Sequence, residues 1–196
     1  DEAARRAGIR IEWVFIPQGA SVAFAAGEID MFPRSSEVPG MARAPYVTRH
    51  WFESFYGILQ RAPQGAPAPA EFKGKTVATG QTHFIRAMAE RLLPGAVIRP
   101  LPTWSRVVAS VCSGESDLAF TELREAASAL LEHPPVCRET PVRLWPLQDA
   151  VVSAGIGSTR EAAPVADLLR DEIGNIAGEG LLAGLHARWF LATIND

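Results

Sequence analysis

The chain has 196 residues, 47% of them hydrophobic and 21% charged, which suits one or two folded domains and excludes a disordered chain. Its 19 basic and 22 acidic residues leave a net charge of −3, which argues against a dedicated nucleic-acid surface and leaves a small neutral or zwitterionic ligand open. No apolar run approaches the ~18 residues of a transmembrane helix, so no membrane span is expected in this chain.

Taken in chain order, residues 1–7 read as a helix stopped at Gly8. Ile9 to Ile16 reads as a strand, with Ile9, Ile11, Trp13 and Phe15 on one face. A short helix over Ser21–Ala26 ends at Gly27, and Ile29–Phe32 is a second short strand. Pro33 to Pro45 carries three prolines and reads as a loop, and Phe55–Gln60 is a strand. The run APQGAPAPA at 62–70 is a linker or exposed loop. Strands are then expected at Lys75–Thr79, Val97–Leu101 and Leu118–Phe120, alternating with helices over 82–93, 103–112 and 122–132. The second of these helices has Thr103 as its N-cap and sets Trp104, Val107, Val108 and Val111 on one face. Pro134–Pro146 reads as extended and irregular, and Ala150–Ile156 as an apolar strand. Helices over 161–177 and 179–190 close the chain, the first burying Val165, Leu168, Leu169, Ile173 and Ile176.

One internal comparison outweighs any single element. VAFAAGEIDMF at 22–32 and ASVCSGESDLAF at 109–120 both end a helix, pass through Gly-Glu-x-Asp and enter an apolar strand. Upstream, RRAGIRIEWVFIP matches LLPGAVIRPLPTW as helix, Gly, strand, helix. Gly27 and Gly114 stand 87 residues apart, and the chain reads as two similar α–β–α–β units. The second unit opens with the strand at 75–79, so by symmetry the first is expected to open with a strand ahead of residue 1. The absence of a leader or initiator Met fits an N-terminally truncated chain. Alternating strands and helices predict parallel sheets flanked by helices, with ligands beyond the carboxyl ends of the strands. The lobes are expected at 1–61 plus 141–196, and at 62–140.

These pieces resemble the family 3 extracellular solute-binding proteins, which include the polar amino-acid receptors of bacterial ABC importers and the sensor domains of some histidine kinases. The matching stretches are GEIDMF, YVTRHWFESFYGIL, FKGKTVATGQT, TWSRVVASVCSGESDLAFTE and GEGLLAGLHARWF, in the family's order and over nearly the whole chain. The resemblance implies a two-lobed periplasmic binding protein type II fold and capture of an amino acid or related carboxylate in an interlobe cleft. It implies a periplasmic or extracytoplasmic location, with an ABC transporter permease or, alternatively, a fused kinase module as partner. An enzyme related to the dehydratases that resemble these receptors is a third, less favoured reading. No catalytic residue, metal or cofactor is expected, and the lone histidines His50, His83 and His133 suggest none.

By the same resemblance, Arg43 lies nearest the arginine that receives a ligand carboxylate, with Arg34 as competitor. Glu122 falls where the family's acid holds an ammonium, although an acid there also suits a helix start. Gly80, Gln81 and Thr82 join a strand to a helix N-terminus that can bind an anion, and Ser35 follows the first-lobe strand. Trp51 and Phe52 read as packing residues more than as a ligand platform. Cys112 and Cys137 could form a disulfide or remain buried thiols, and neither carries a signal for thiolate activation.

Overall fold

The computed structural model describes residues 1–16, 20–36, 45–62, 65, 67–132 and 134–188. The chain divides into two compact units, Asp1–Glu53 with Val152–Asp196, and Ser54–Val151. The two crossings fall within strands β3 (Phe52–Arg61) and β7 (Val142–Ser158).

In the second unit, β4 (Thr76–Gly80) lies parallel to both β5 (Val97–Leu101) and β6 (Leu118–Glu122), and β3 pairs antiparallel with β6. The strand order is β7–β3–β6–β4–β5. Helices α3 (His83–Leu92), α4 (Trp104–Ser113) and α5 (Leu123–Leu131) follow β4, β5 and β6 in turn. Val107, Val108 and Val111 of α4 are fully buried with Leu59, Ala78 and Ala119, the i, i+1, i+4 stripe that the sequence places on one face. Cys112 and Cys137 form a disulfide that ties the end of α4 to the 3-10 turn Pro135–Cys137, which decides the alternative left open by the sequence.

In the first unit, β1 (Met31–Ser35) and β2 (Tyr46–Val47) both pair antiparallel with the end of β7. Helices α1 (Glu2–Ala7) and α6 (Ala163–Gly178) enclose a core of Ala3, Ala4, Ile156, Ala166, Leu169 and Ile176, with Ile9, Ile11 and Met31 packed against it. Glu2 accepts hydrogen bonds from Arg5 and Arg6, and Arg6 also donates twice to Glu179 at 2.8 Å each. Tyr46 donates its hydroxyl to Asp167, and Arg170 donates to the carbonyls of Arg49 and His50, which fastens the 46–50 stretch to α6. The remaining helices are α2 (Ala20–Ala26) and α7 (Leu181–Arg188).

Five expectations change. Residues 33–35, read as the start of a loop, belong to β1, which finds a partner in β7. Residues 9–16 form no strand, and Trp13, Val14 and Phe15 stand exposed. A strand needs a second strand to pair with, and this segment has none among the described residues; Ile9 N–H instead donates to the Ala4 carbonyl of α1 at 2.8 Å. The second strand begins at Met31 rather than Ile29, because Asp30 serves the turn, its carbonyl accepting from Thr159 N–H. The strand expected over Ala150–Ile156 spans Val142–Ser158, since pairing on alternate sides extends it past its apolar stretch. Leu168, expected on the inner face of its helix, is 46% exposed. Arg43, His133 and Trp189 lie outside the described residues.

Candidate functional site

The second unit gathers its candidates on one edge. Strands β5, β4 and β6 are parallel neighbours, so their carboxyl ends come out together and each feeds a helix N-terminus. The first N–H groups of any helix lack intrahelical acceptors and need a side chain, water or ligand. At α4, Thr103 Oγ1 accepts from Arg106 N–H at 3.2 Å. At α5, Glu122 Oε2 accepts from Glu125 N–H at 2.9 Å. At α3, Thr82 occupies the N-cap position with φ −66° and ψ 141° but makes no side-chain cap bond.

That third N-terminus is also exposed, through Gln81, Thr82 and His83. Gly80 before it is packed against the Trp104 ring, whose Cη2 would stand 3.1 Å from an added Cβ. Thr79 Oγ1, one residue earlier, is buried without a hydrogen-bond partner. The stretch from Thr79 to His83 therefore combines an uncapped helix start, an aromatic wall and an unused hydroxyl. Its chemistry suits an anion such as a carboxylate, which would complete the N–H groups and meet the positive end of the helix dipole.

Glu122 sits on the same edge, at the end of β6, but its carboxylate is engaged. It is 3% exposed, caps α5, and lies 3.4 Å from Arg124 Nη1. The helix-starting role weighed for it from the sequence is its observed geometry. A polar depression near Gln60, Arg61, Lys75 and Asp117 lies at the amino ends of β4 and β6, the opposite edge from these residues.

In the first unit, Arg34 and Ser35 belong to β1. The Arg34 guanidinium lies 5.2 Å over the Phe52 ring, and Phe52 meets Trp51 at 5.5 Å in a tilted pair. Trp51 Nε1 donates to the Pro33 carbonyl at 3.0 Å, fixing the aromatic pair against β1. Phe52 thus positions an arginine as well as packing, a link across the 33–45 stretch that no local pattern announces. Ser35 Oγ lies where a Cβ on Gly157 would fall, and Ser36 donates to the Ser153 carbonyl at 3.1 Å. Among the described residues no cluster of His, Cys, Asp and Glu could hold a metal, and no helix is long and apolar enough to cross a membrane.

The fold that carries these sites is the type II periplasmic binding protein fold. The chain superposes on the substrate-binding protein of an amino acid ABC transporter with a TM-score of 0.77 and 16% identity, over 96% of this chain and 83% of that one. It superposes on a histidine kinase sensor domain with similarity to periplasmic binding proteins with a TM-score of 0.78 and 17% identity, over 95% and 81%. An ancestral amino acid-binding protein described as a precursor of cyclohexadienyl dehydratase matches with a TM-score of 0.76 and 16% identity, over 96% and 81%. No protein-family model and no curated protein matches the sequence. The neighbours are mostly binding proteins rather than enzymes.

Proposed function

We propose that this chain captures a small polar solute, an amino acid or a related carboxylate, as the receptor of an ABC importer, with the two units as its lobes. The observation that carries the reading is the uncapped start of α3 beside two capped ones on the same sheet edge. In this reading the stretch Gly80, Gln81 and Thr82, with the backbone N–H groups at the start of α3 that begin at His83, receives the solute's carboxylate. Arg34 and Ser35 of β1 are proposed as first-unit contacts, and Arg43 as a further one. Glu122 orders α5 and offers a negative environment for an ammonium. Binding requires no covalent step, and the chain is proposed not to be an enzyme. The Cys112–Cys137 disulfide supports an oxidising, extracytoplasmic location, because such bonds are rare in reducing compartments.

The test is a thermal-shift and calorimetric screen of amino acids and small carboxylates. A solute at 100 times its dissociation constant adds about 2.7 kcal/mol of stability. Stabilisation by amino acids that disappears when the α-carboxylate is amidated supports the reading; indifference to amidation refutes the carboxylate role of α3. Steady turnover of prephenate or arogenate refutes the non-enzyme reading. The similarity to a kinase sensor domain favours a second reading, a sensing domain of a larger receptor. Flanking sequence separates them: a signal peptide or lipobox for the transport receptor, a transmembrane helix and kinase modules for the sensor.

A further inference from the structure

A second set of polar side chains stands at the other edge of the second unit's sheet. The amino ends of β4 and β6 meet the carboxyl end of β3 there, because β3 runs antiparallel to β6 and sets Gln60 opposite Leu118. These ends border a cavity of about 160 Å³ whose polar lining is Gln60, Arg61, Glu71, Lys75 and Asp117. The length of the strands separates it from the start of α3: Thr76 and Leu118 lie at this edge, Gly80 and Glu122 at the other.

Three of these residues are already engaged. Gln60 is 2% exposed, and its Nε2 donates to the Gly65 carbonyl. Asp117 Oδ2 accepts Thr76 N–H at 2.8 Å, and Lys75 Nζ lies 3.9 Å from Asp117 Oδ1, so the charges of this pair offset one another. Arg61 and Glu71 differ: neither side chain makes a hydrogen bond or an ion pair with a described residue. The Arg61 guanidinium is seated against Gly114, the C-cap of α4, where a Cβ would stand 2.5 Å from Nη1. The missing side chain makes room for it, and the negative end of the helix dipole holds it at the cavity wall. Glu71 belongs to the 3-10 turn Pro69–Phe72, which the buried Phe72 anchors.

We propose that this cavity is a second solute site, for a small zwitterion whose carboxylate meets Arg61 and whose ammonium meets Glu71. Charge selects the class. Arg61 and Lys75 balance Glu71 and Asp117, and Lys75 and Asp117 offset each other. What remains is one anion for Arg61 and one cation for Glu71. A lone anion would satisfy the guanidinium and stand near two carboxylates; a lone cation would do the reverse. The guanidinium fork receives a carboxylate through two parallel N–H bonds. Volume sets the size: a cavity of about 150 Å³ holds benzene, so about six non-hydrogen atoms fit, as in glycine, alanine or β-alanine. The site lies apart from the start of α3, and neither reading depends on the other.

The experiment is an amide-resolved NMR titration with glycine and β-alanine, carried to about 50 mM because so small a ligand has little contact area to hold it. Acetate and methylamine serve as single-charge controls. The expected result is saturable shifts at residues 60–61, 71–75 and 117–118, with both controls at least about tenfold weaker, since each forgoes one charged hydrogen bond. Arg61→Gln and Glu71→Gln should each weaken glycine by a similar factor, and His83→Pro should leave these shifts unchanged. If Arg61→Gln fails to fold, Glu71→Gln, a change at an exposed residue, and the control ligands still decide. Absence of saturable shifts here with both zwitterions overturns the proposal, as do shifts that Glu71→Gln does not weaken. Acetate binding as tightly as glycine makes the cavity a plain anion site and overturns it too. Shifts that vanish in His83→Pro report on the α3 site and have the same consequence.

Discussion

Gly57 and Gly155 each face backbone across a strand pair. A Cβ on Gly57 would overlap the Trp145 carbonyl, and one on Gly155 would overlap the Thr48 carbonyl. Neither obstacle is the end of a flexible side chain, so Gly57→Ala and Gly155→Ala should each destabilise by about 1–3 kcal/mol in urea titration. His83→Pro is expected to behave in the opposite way. His83 is the first residue of α3, where proline is tolerated, and Thr82 already has the extended conformation that precedes proline. The substitution should leave stability within about 0.5 kcal/mol while deleting one exposed N–H donor. Carboxylate solutes should then bind more weakly by about 1.5–3 kcal/mol, the value of a hydrogen bond to a charged group. Calorimetry with matched acid and amide solutes checks this. Glu122→Ala removes a helix cap as well as a buried charge, and about 1 kcal/mol of stability should go with it, whatever its effect on ligand.

Elements are held by a few polar clamps as well as by their apolar faces. Hydrogen bonds from Arg5 and Arg6 hold the Glu2 carboxyl down at about 2, well below its ordinary range. A carboxyl whose folded value is depressed stabilises the fold above the unfolded value and loses that contribution as pH falls toward the folded one. The attachment of α1 should therefore weaken between about pH 4.5 and 2. Glu2→Gln should flatten that acid limb, and so should high salt, because the groups are solvent-accessible. Hydrogen exchange of α1 across this range reports the effect. The disulfide is a stronger clamp. It closes a loop with a sequence separation of 25, and its loss should cost about 3 kcal/mol. Denaturation with and without reductant, or of Cys112→Ala paired with Cys137→Ala, measures it.

At the scale of the molecule, the two units have separate cores and unequal closure. The second has a fully buried strand β6 and the disulfide, while the first leaves β1 partly exposed and Trp13, Val14 and Phe15 in solvent. Residues 1–196 should therefore unfold in two calorimetric steps, the first unit at the lower temperature. Reductant should move only the upper step. A single transition shifted as a whole by reductant would show that the units unfold as one cooperative body.

Much of the architecture was legible because it is written in local chemistry. The helices over 83–92, 104–113 and 123–131 follow from apolar spacing, and Thr103 caps as its residue type predicts. The matching Gly-Glu-x-Asp stretches were readable in the sequence, and Gly27 and Gly114 both follow a helix and have positive φ. Tertiary structure decided what depends on partners. Residues 9–16 have a strand's pattern but no paired strand among the described residues, and β7 extends beyond its apolar stretch because it finds partners. The pairing of Cys112 with Cys137 depended on α4 meeting the turn at 135–137. At the candidate site, strand, glycine and helix start were readable at 76–83, whereas the absence of a cap on α3 was not. Thr82 has the same capping chemistry as Thr103; only side-chain orientation, set by the surrounding fold, separates the two.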